Sequence, residues 1–413
     1  MKDILNPFYK MYLLCILVIS ILLNAGFSTN VTLPKFHESP HDYWNAKRKD
    51  PFTKIIPLLH NGQIKLDHSS ELNFLKSLLK ELNIPESSQL QLFSTTSLQL
   101  GLINPSNPRS LYFNESIYIG YIPGGKIEVI SIDPEHGAVF YIFKVPSKKQ
   151  PLTITPTKRC MNCHADRELS GIPGLIIKSV LPGVNGGSLD SYRTGQPGHD
   201  VPYKDRFGGW YITDLLDPAD HSNVLGFYKN GTIEKKNVLA LQKKSTHLFP
   251  NSNSEVLTHL IFDHQAGFVN RAIKSNYLLR LTQLPDNLDE HQLNFKKSIS
   301  DLVKYSLFDK EPNLSLKINQ NSHFKTDFLI TPHKLKTGES LRELDLKTRL
   351  FKYRCSFMLF SDFFKNNPPE IKKVVYKEIK QNLLSETPIL NPENSFPENE
   401  KEIILQLLNK FYK

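Results

Sequence analysis

Leucines recur at helical spacing in "LNFLKSLLKEL", residues 72–82, and the run stops just ahead of Pro85. Residues three and four apart share one helix face, so this stretch predicts an amphipathic helix. The texture then changes. "LQLFSTTSLQL", "SIYIGYI", "KIEVISI" and "AVFYIFKV", spread over residues 90–145, alternate or cluster β-branched and aromatic side chains, and "NPSNPRS", "PGG" and "DPEHG" between them are turn sequences. An antiparallel sheet is the expectation. A loop bounded by Pro and Lys, 151–170, follows it, "GLIIKSVL" returns to a strand, and "GVNGGS", "RTGQPGHD" and "DRFGGWYIT" add glycine-rich punctuation.

Beyond residue 250 the helical period returns. Ser254 to Leu281 reads as one long helix with Ser254 as N-cap, Glu255 in the first turn, and an apolar stripe of Leu257, Ile261, Phe268, Ala272 and Leu279. Residues 286–350 are charged and helical in texture, "RCSFMLFSDFF" is a short buried strand or helix, and 368–383 and 399–412 are amphipathic helices. The fold class is therefore α+β: an antiparallel sheet-rich part within 70–285, then a mainly helical C-terminal region, 286–413, packing on it. Residues 29–69, polar and rich in Pro and His, read as an extended lead-in.

The first 28 residues stand apart. Lys2 and Lys10 precede an uncharged apolar run from Met11 to Leu23, and small and polar residues follow up to Ser28. That is the layout of a signal peptide, since about a dozen apolar residues fall short of the roughly 20 a spanning helix needs. The expectation is an exported, periplasmic protein that touches the membrane only through this segment where it is not cleaved. Cys15 lies inside the apolar run.

Composition narrows the class. With 39% hydrophobic and 22% charged residues, the chain is too apolar for disorder and too polar for a polytopic membrane protein. A chain of 413 residues with four cysteines has no need of disulfide staples for its core. The net charge of +10, or +9 once the leading segment's two lysines and one aspartate are set aside, comes from dispersed lysines. Without basic runs or aromatic interleaving, a nucleic-acid groove is not expected; a solvated lysine-rich face is the plain reading, and docking of an acidic protein partner the functional one.

Chemistry concentrates in "KRCMNCHADR", residues 158–167. Cys160, Cys163 and His164 match C-x-x-C-H, the attachment signature of c-type haem. Two thiols add across the two vinyl groups of one porphyrin, and the adjacent histidine supplies the proximal axial ligand. One covalent haem c per chain is the expectation. Two other readings use the same cysteines: a zinc knuckle, which needs further Cys or His ligands, and a redox disulfide, which prefers a pair opening a helix straight after a strand.

For the sixth position on iron, Met161 lies between the cysteines, and Met358 sits in an apolar run suited to core packing. Histidine remains: His264 in the stripe of the long helix and His221 in "DPADHSN" are the candidate ligands, while His136 falls at a turn tip expected to face solvent. In "RFGGWYIT" the plain reading is a Gly-Gly turn into a strand anchored by Trp210 and Tyr211. The functional one packs Trp210 on the porphyrin and pairs Arg206 with a propionate, Arg109 being a second propionate candidate. Cys355 reads as a buried, inert thiol.

The series "SQLQLFSTTSLQ", "NPRSLYFN", "YIGYIPGG", "DPEHGAVFY", "CMNCH", "RFGGWYIT" and "FDHQAGFVNRAIKSNY" resembles an uncharacterised family of large, exported mono-haem c-type proteins from environmental bacteria, over about residues 60–385. The resemblance implies haem on Cys160, Cys163 and His164 and a periplasmic location. The functional expectation is one-electron transfer with a periplasmic redox partner, the alternative being a haem enzyme with an open sixth site, a peroxidase or small-substrate oxidoreductase.

Overall fold

The computed structural model describes residues 34–146, 152–193, 195–214, 221–385, 390 and 395–412. The leading segment read as a signal peptide lies outside them. Among the described residues no helix is long and apolar enough to cross a membrane.

The chain opens with helices α1 (Pro51–His60) and α2 (Glu71–Glu81), then strands β1 (Leu90–Leu92), β2 (Arg109–Phe113), β3 (Ile117–Tyr121), β4 (Lys126–Asp133) and β5 (Gly137–Lys144). A four-residue helix, α3 (Met161–His164), leads to the paired strands β6 (Ser179–Pro182) and β7 (Ser188–Arg193), then β8 (Trp210–Tyr211). The hairpin β9 (Val224–Lys229) and β10 (Thr232–Asn237) precedes α4 (Leu239–Ser245), the long α5 (Val256–Leu281), α6 (Leu288–Ser306) and α7 (His323–Phe328). Helices α8 (Asp362–Lys365), α9 (Pro369–Leu384) and α10 (Glu398–Phe411) close the chain.

An antiparallel six-stranded sheet, ordered β5-β4-β3-β2-β1-β8, forms the centre, so the α+β expectation holds. Strand alternation gives it two apolar faces. Tyr112, Ile119, Val129 and Tyr141 turn to one side, where Phe52 of α1 and Phe74, Leu75, Leu78 and Leu79 of α2 cover them. Phe113, Tyr118, Ile132 and Phe140 turn to the other, into a larger core shared with α5 and the C-terminal helices.

That second layer is why α5 departs from a one-sided stripe. Val256 to Val269 are buried without a break, because the helix lies between the sheet and the C-terminal helices. On one side Gln265 Nε2 donates to the Asn114 carbonyl (2.8 Å) and the Tyr118 hydroxyl (3.0 Å). On the other, a Cβ at Gly267 would lie 2.3 Å from the Tyr305 hydroxyl of α6. Ser254 does not cap the helix. Its hydroxyl donates to the Tyr211 carbonyl and accepts from Gln91 N–H, and Asp214, distant in sequence, accepts from Val256 N–H at 2.8 Å.

Other expectations change as well. The lead-in contains α1, capped by Asp50, which accepts from Thr53 N–H, with Pro51 in the first turn. Strand β2 starts at Arg109, inside the stretch read as a turn, and "LQLFSTTSLQL" is a strand only over Leu90–Leu92. Between α6 and "RCSFMLFSDFF" the expected helical texture resolves into one short helix, α7, amid irregular backbone. "RCSFMLFSDFF" itself holds a 3₁₀ turn, Phe357–Phe360, and α8.

Candidate haem-attachment site

Two crossings of the β5 edge fix the cysteine loop in place. Thr157 N–H donates to the Phe140 carbonyl at 2.8 Å before the motif, and Ala138 N–H donates to the Pro173 carbonyl at 3.1 Å after it. Gly137 permits the second crossing: it sits at φ +87°, and a Cβ there would lie 2.3 Å from the Pro173 carbonyl oxygen. The motif is thereby seated on the sheet face that carries Phe140, whose ring centroid is 4.6 Å from that of His164.

Cys160 precedes the first residue of α3, the single turn that ends at His164. Met161 points into the core, Cys160 is half-buried, and Cys163 is exposed. The two sulfur-bearing side chains thus bracket one helical turn at the protein's surface.

His164 has a defined tautomer. Its Nδ1 lies 2.9 Å from the Gly174 carbonyl oxygen, and a carbonyl only accepts, so Nδ1 carries the proton and Nε2 keeps its lone pair. The strands of backbone lock the arrangement, since Gly174 N–H donates back to the His164 carbonyl at 2.9 Å. Asn270 of α5 then holds the next residue, accepting from Leu175 N–H and donating to Leu175 C=O. Burial lowers the His164 pKa to about 4, which keeps the ring neutral and a competent ligand at neutral pH. A metal-ligating histidine ordinarily has its second nitrogen oriented this way.

The sheet beside the loop is only partly covered. Leu111, Gly120, Glu128 and Ile142 are successive cross-strand neighbours on β2 to β5; Leu111 and Ile142 remain half-exposed. A covalent haem needs paired sulfurs on one turn, an imidazole with Nε2 free, and a flat apolar flank, and the residues present fit it.

The competing chemistries fit less well. Burial pushes the Cys160 thiol up to about 11, opposite to the lowered value of a reactive disulfide-exchange thiol. Among the described residues no group of three or more His, Cys, Asp or Glu side chains is gathered as a metal-ligand set, whereas a zinc knuckle requires four donors.

The remaining predicted site residues are placed elsewhere. Arg206 is not available to a propionate: 2% exposed, it donates to Asp263 (3.0 Å) and to the carbonyls of Gly198, His199 and Val201. Trp210 is a core anchor rather than a porphyrin contact. Its indole N–H donates to the Lys178 carbonyl at 2.9 Å, and its ring meets His259 edge-on. That is the plain turn-into-strand reading.

His264 has both ring nitrogens engaged, Nδ1 with His199 Nδ1 at 2.8 Å and Nε2 with Ser356 Oγ at 2.9 Å, leaving neither for iron. His221 lies flat on Tyr192 with ring centroids 3.5 Å apart. His136 is largely covered and faces Asp133 at 3.4 Å, contrary to the solvent-facing expectation. Met358 and Cys355 are fully buried, as expected of core residues.

Sequence reasoning missed the polar cluster around α5. Asp263, with no exposure, pairs with Arg193 (2.9 Å) and Arg206 (3.0 Å). Burial raises its pKa, but the two guanidiniums outweigh that and hold it below the usual carboxylate value. His259 is 1% exposed, and among the described residues neither ring nitrogen has a hydrogen-bond partner. The helical spacing of His259, Asp263 and His264 was legible; their convergence with a loop 60 residues earlier was not.

Comparison of the chain with family models, with curated proteins and with solved structures finds no match.

Proposed function

We propose that this chain is an exported c-type haem protein that carries one electron at a time. The observation that supports the reading best is the C-x-x-C-H turn whose histidine holds Nδ1–H on the Gly174 carbonyl and leaves Nε2 free. Cys160 and Cys163 are the anchors and His164 the proximal ligand. When bound, the haem supplies the redox chemistry, accepting and releasing an electron at its iron. The chain's own work is to fix the attachment turn against β5, hold the imidazole in one tautomer, and cover one side of the group with the β2–β5 face. The exposed position of Cys163 sets one edge of the group toward solvent, where a periplasmic redox partner with an acidic face is the proposed exchange protein. Export through residues 1–28 agrees with the compartment in which thioether attachment takes place.

A second reading, a haem enzyme with an open sixth position, is favoured by one observation: His264 has both nitrogens engaged in the core. A redox titration of the holoprotein, followed by absorbance with and without cyanide, separates the two. A reversible one-electron wave with no cyanide response supports the carrier. Rapid cyanide binding to high-spin ferric iron supports the enzyme, and the absence of any redox-active chromophore contradicts both.

A further inference from the structure

Arg109 lies on the sheet face that supports the attachment turn, and its surroundings are unusual for a surface cation. Its side chain is 13% exposed and reaches across β3 to Glu128 at 2.5 Å. It can lie there because residue 120 is glycine: a Cβ would stand 2.8 Å from Nη2 and 3.0 Å from Nε of Arg109. Glycine weakens the middle of a strand, so its presence marks a close approach that the site needs.

The guanidinium is incompletely satisfied. It has five N–H donors, yet Nε is buried with no hydrogen-bond partner among the described residues. Glu128 does not depend on it alone. The Ser97 hydroxyl and Gln99 Nε2 (2.9 Å) both donate to Glu128 Oε1, so the carboxylate stays hydrogen-bonded when Arg109 takes a second partner. Glu128 pairs with Gly120 and Ile142 across the sheet, on the face where Phe140 of β5 carries the His164 ring at 4.6 Å, which places the pair on the same face as the turn. Leu111 and Ile142, half-exposed in the same cross-strand row as Gly120 and Glu128, give an apolar flank.

We propose that Arg109, seated over Gly120, is the counter-charge that receives a carboxylate of a flat apolar ligand bound at the attachment turn, namely a haem propionate. The assignment rests on the haem reading above and replaces Arg206 in that role. An arginine fork suits a carboxylate bidentately, and Glu128 acts as the positioning residue that holds the fork over the sheet face at Gly120.

The test uses mature holoprotein. Arg109→Gln removes the cation but leaves Glu128 buried and unpaired, so Arg109→Gln/Glu128→Gln is made alongside it and compared with Glu128→Gln. The readouts are the reduction potential and the propionate bending band in resonance Raman spectra. In the Glu128→Gln background, loss of Arg109 lowers the potential and shifts the propionate band, while Arg109→Lys in the wild-type background keeps most of the potential and still shifts the band. A propionate band unmoved by either Arg109 change, in protein that carries covalent haem, overturns the assignment and leaves the haem reading intact. Wild-type protein isolated as bare polypeptide removes both.

Discussion

The Nδ1 atom of His164 stands 2.9 Å from the carbonyl oxygen of Gly174, and this contact links the C-x-x-C-H turn to α5, because Asn270 clasps the residue that follows Gly174. A Cβ at position 174 would stand 2.7 Å from Asn270 Oδ1. Gly174→Ala therefore forces the clasp apart, with an expected loss of about 1–3 kcal/mol as overpacking. Equilibrium urea unfolding checks it, and a stability unchanged from wild type would show that the clasp yields freely.

Replacing Cys160 and Cys163 together by alanine removes both proposed thioether anchors. Haem in that variant is expected to be wholly extractable into acidified acetone, while each single variant retains a pigment with one vinyl group unreacted. Pyridine haemochrome spectra before and after extraction distinguish these cases, and haem that resists extraction from the double variant contradicts the anchoring role.

His264→Asn is expected to leave the ferric spectrum and the cyanide response of the holoprotein unchanged, since His264 is bonded to His199 and Ser356. A conversion from low-spin to high-spin iron in this variant would reinstate His264 as the sixth ligand.

Asp263 is the carboxylate shared by two guanidiniums that are 5% and 1% exposed at the side chain. Asp263→Asn leaves both uncompensated in the interior, and breaking a buried pair on one side costs about 3–5 kcal/mol. A denaturant midpoint within error of wild type would mean that water reaches the arginines.

Acid lability follows from the buried histidines. Burial lowers His259 and His264 to about 3 and places His199 well below its ordinary value, the neighbouring His264 adding to the effect on His199. The unfolded chain binds protons at these sites near pH 6.5, the folded chain only far below it. Their contribution to stability is thus fully present above pH 6.5 and is lost as pH falls toward 3, at a slope of up to about 1.4 kcal/mol per pH unit per histidine. Urea midpoints from pH 7.5 to 4.5 are expected to fall steadily below 6.5. A flat profile would contradict the neutral buried state.

The sequence revealed what local rules govern. Period-2 runs located β3, β4 and β5, and helical spacing located α2, α5, α9 and α10; the short C-x-x-C-H motif singled out the turn from Cys160 to His164. Long-range closure stayed hidden. Strand β2 begins at Arg109 because Leu92 of β1 pairs with it in the sheet, although "NPSNPRS" reads locally as a turn. Ser254 has the chemistry of an N-cap but is drawn to Gln91 and Tyr211. The same reason explains the site: three of its elements, the motif with its Gly174 acceptor, the Phe140 wall and the Arg109–Glu128 pair, meet through sheet register. Arg206 and Trp210, in a conspicuous motif, are absorbed by a core that no single segment displays.

The intact mass of mature protein produced with a c-type maturation system, measured after acid–acetone extraction, bears most directly on the central claim. One haem is expected to remain on the polypeptide, lost on Cys160→Ala/Cys163→Ala. A mass equal to the bare chain, or an excess that disappears on acidification as a bound metal ion would, contradicts the account.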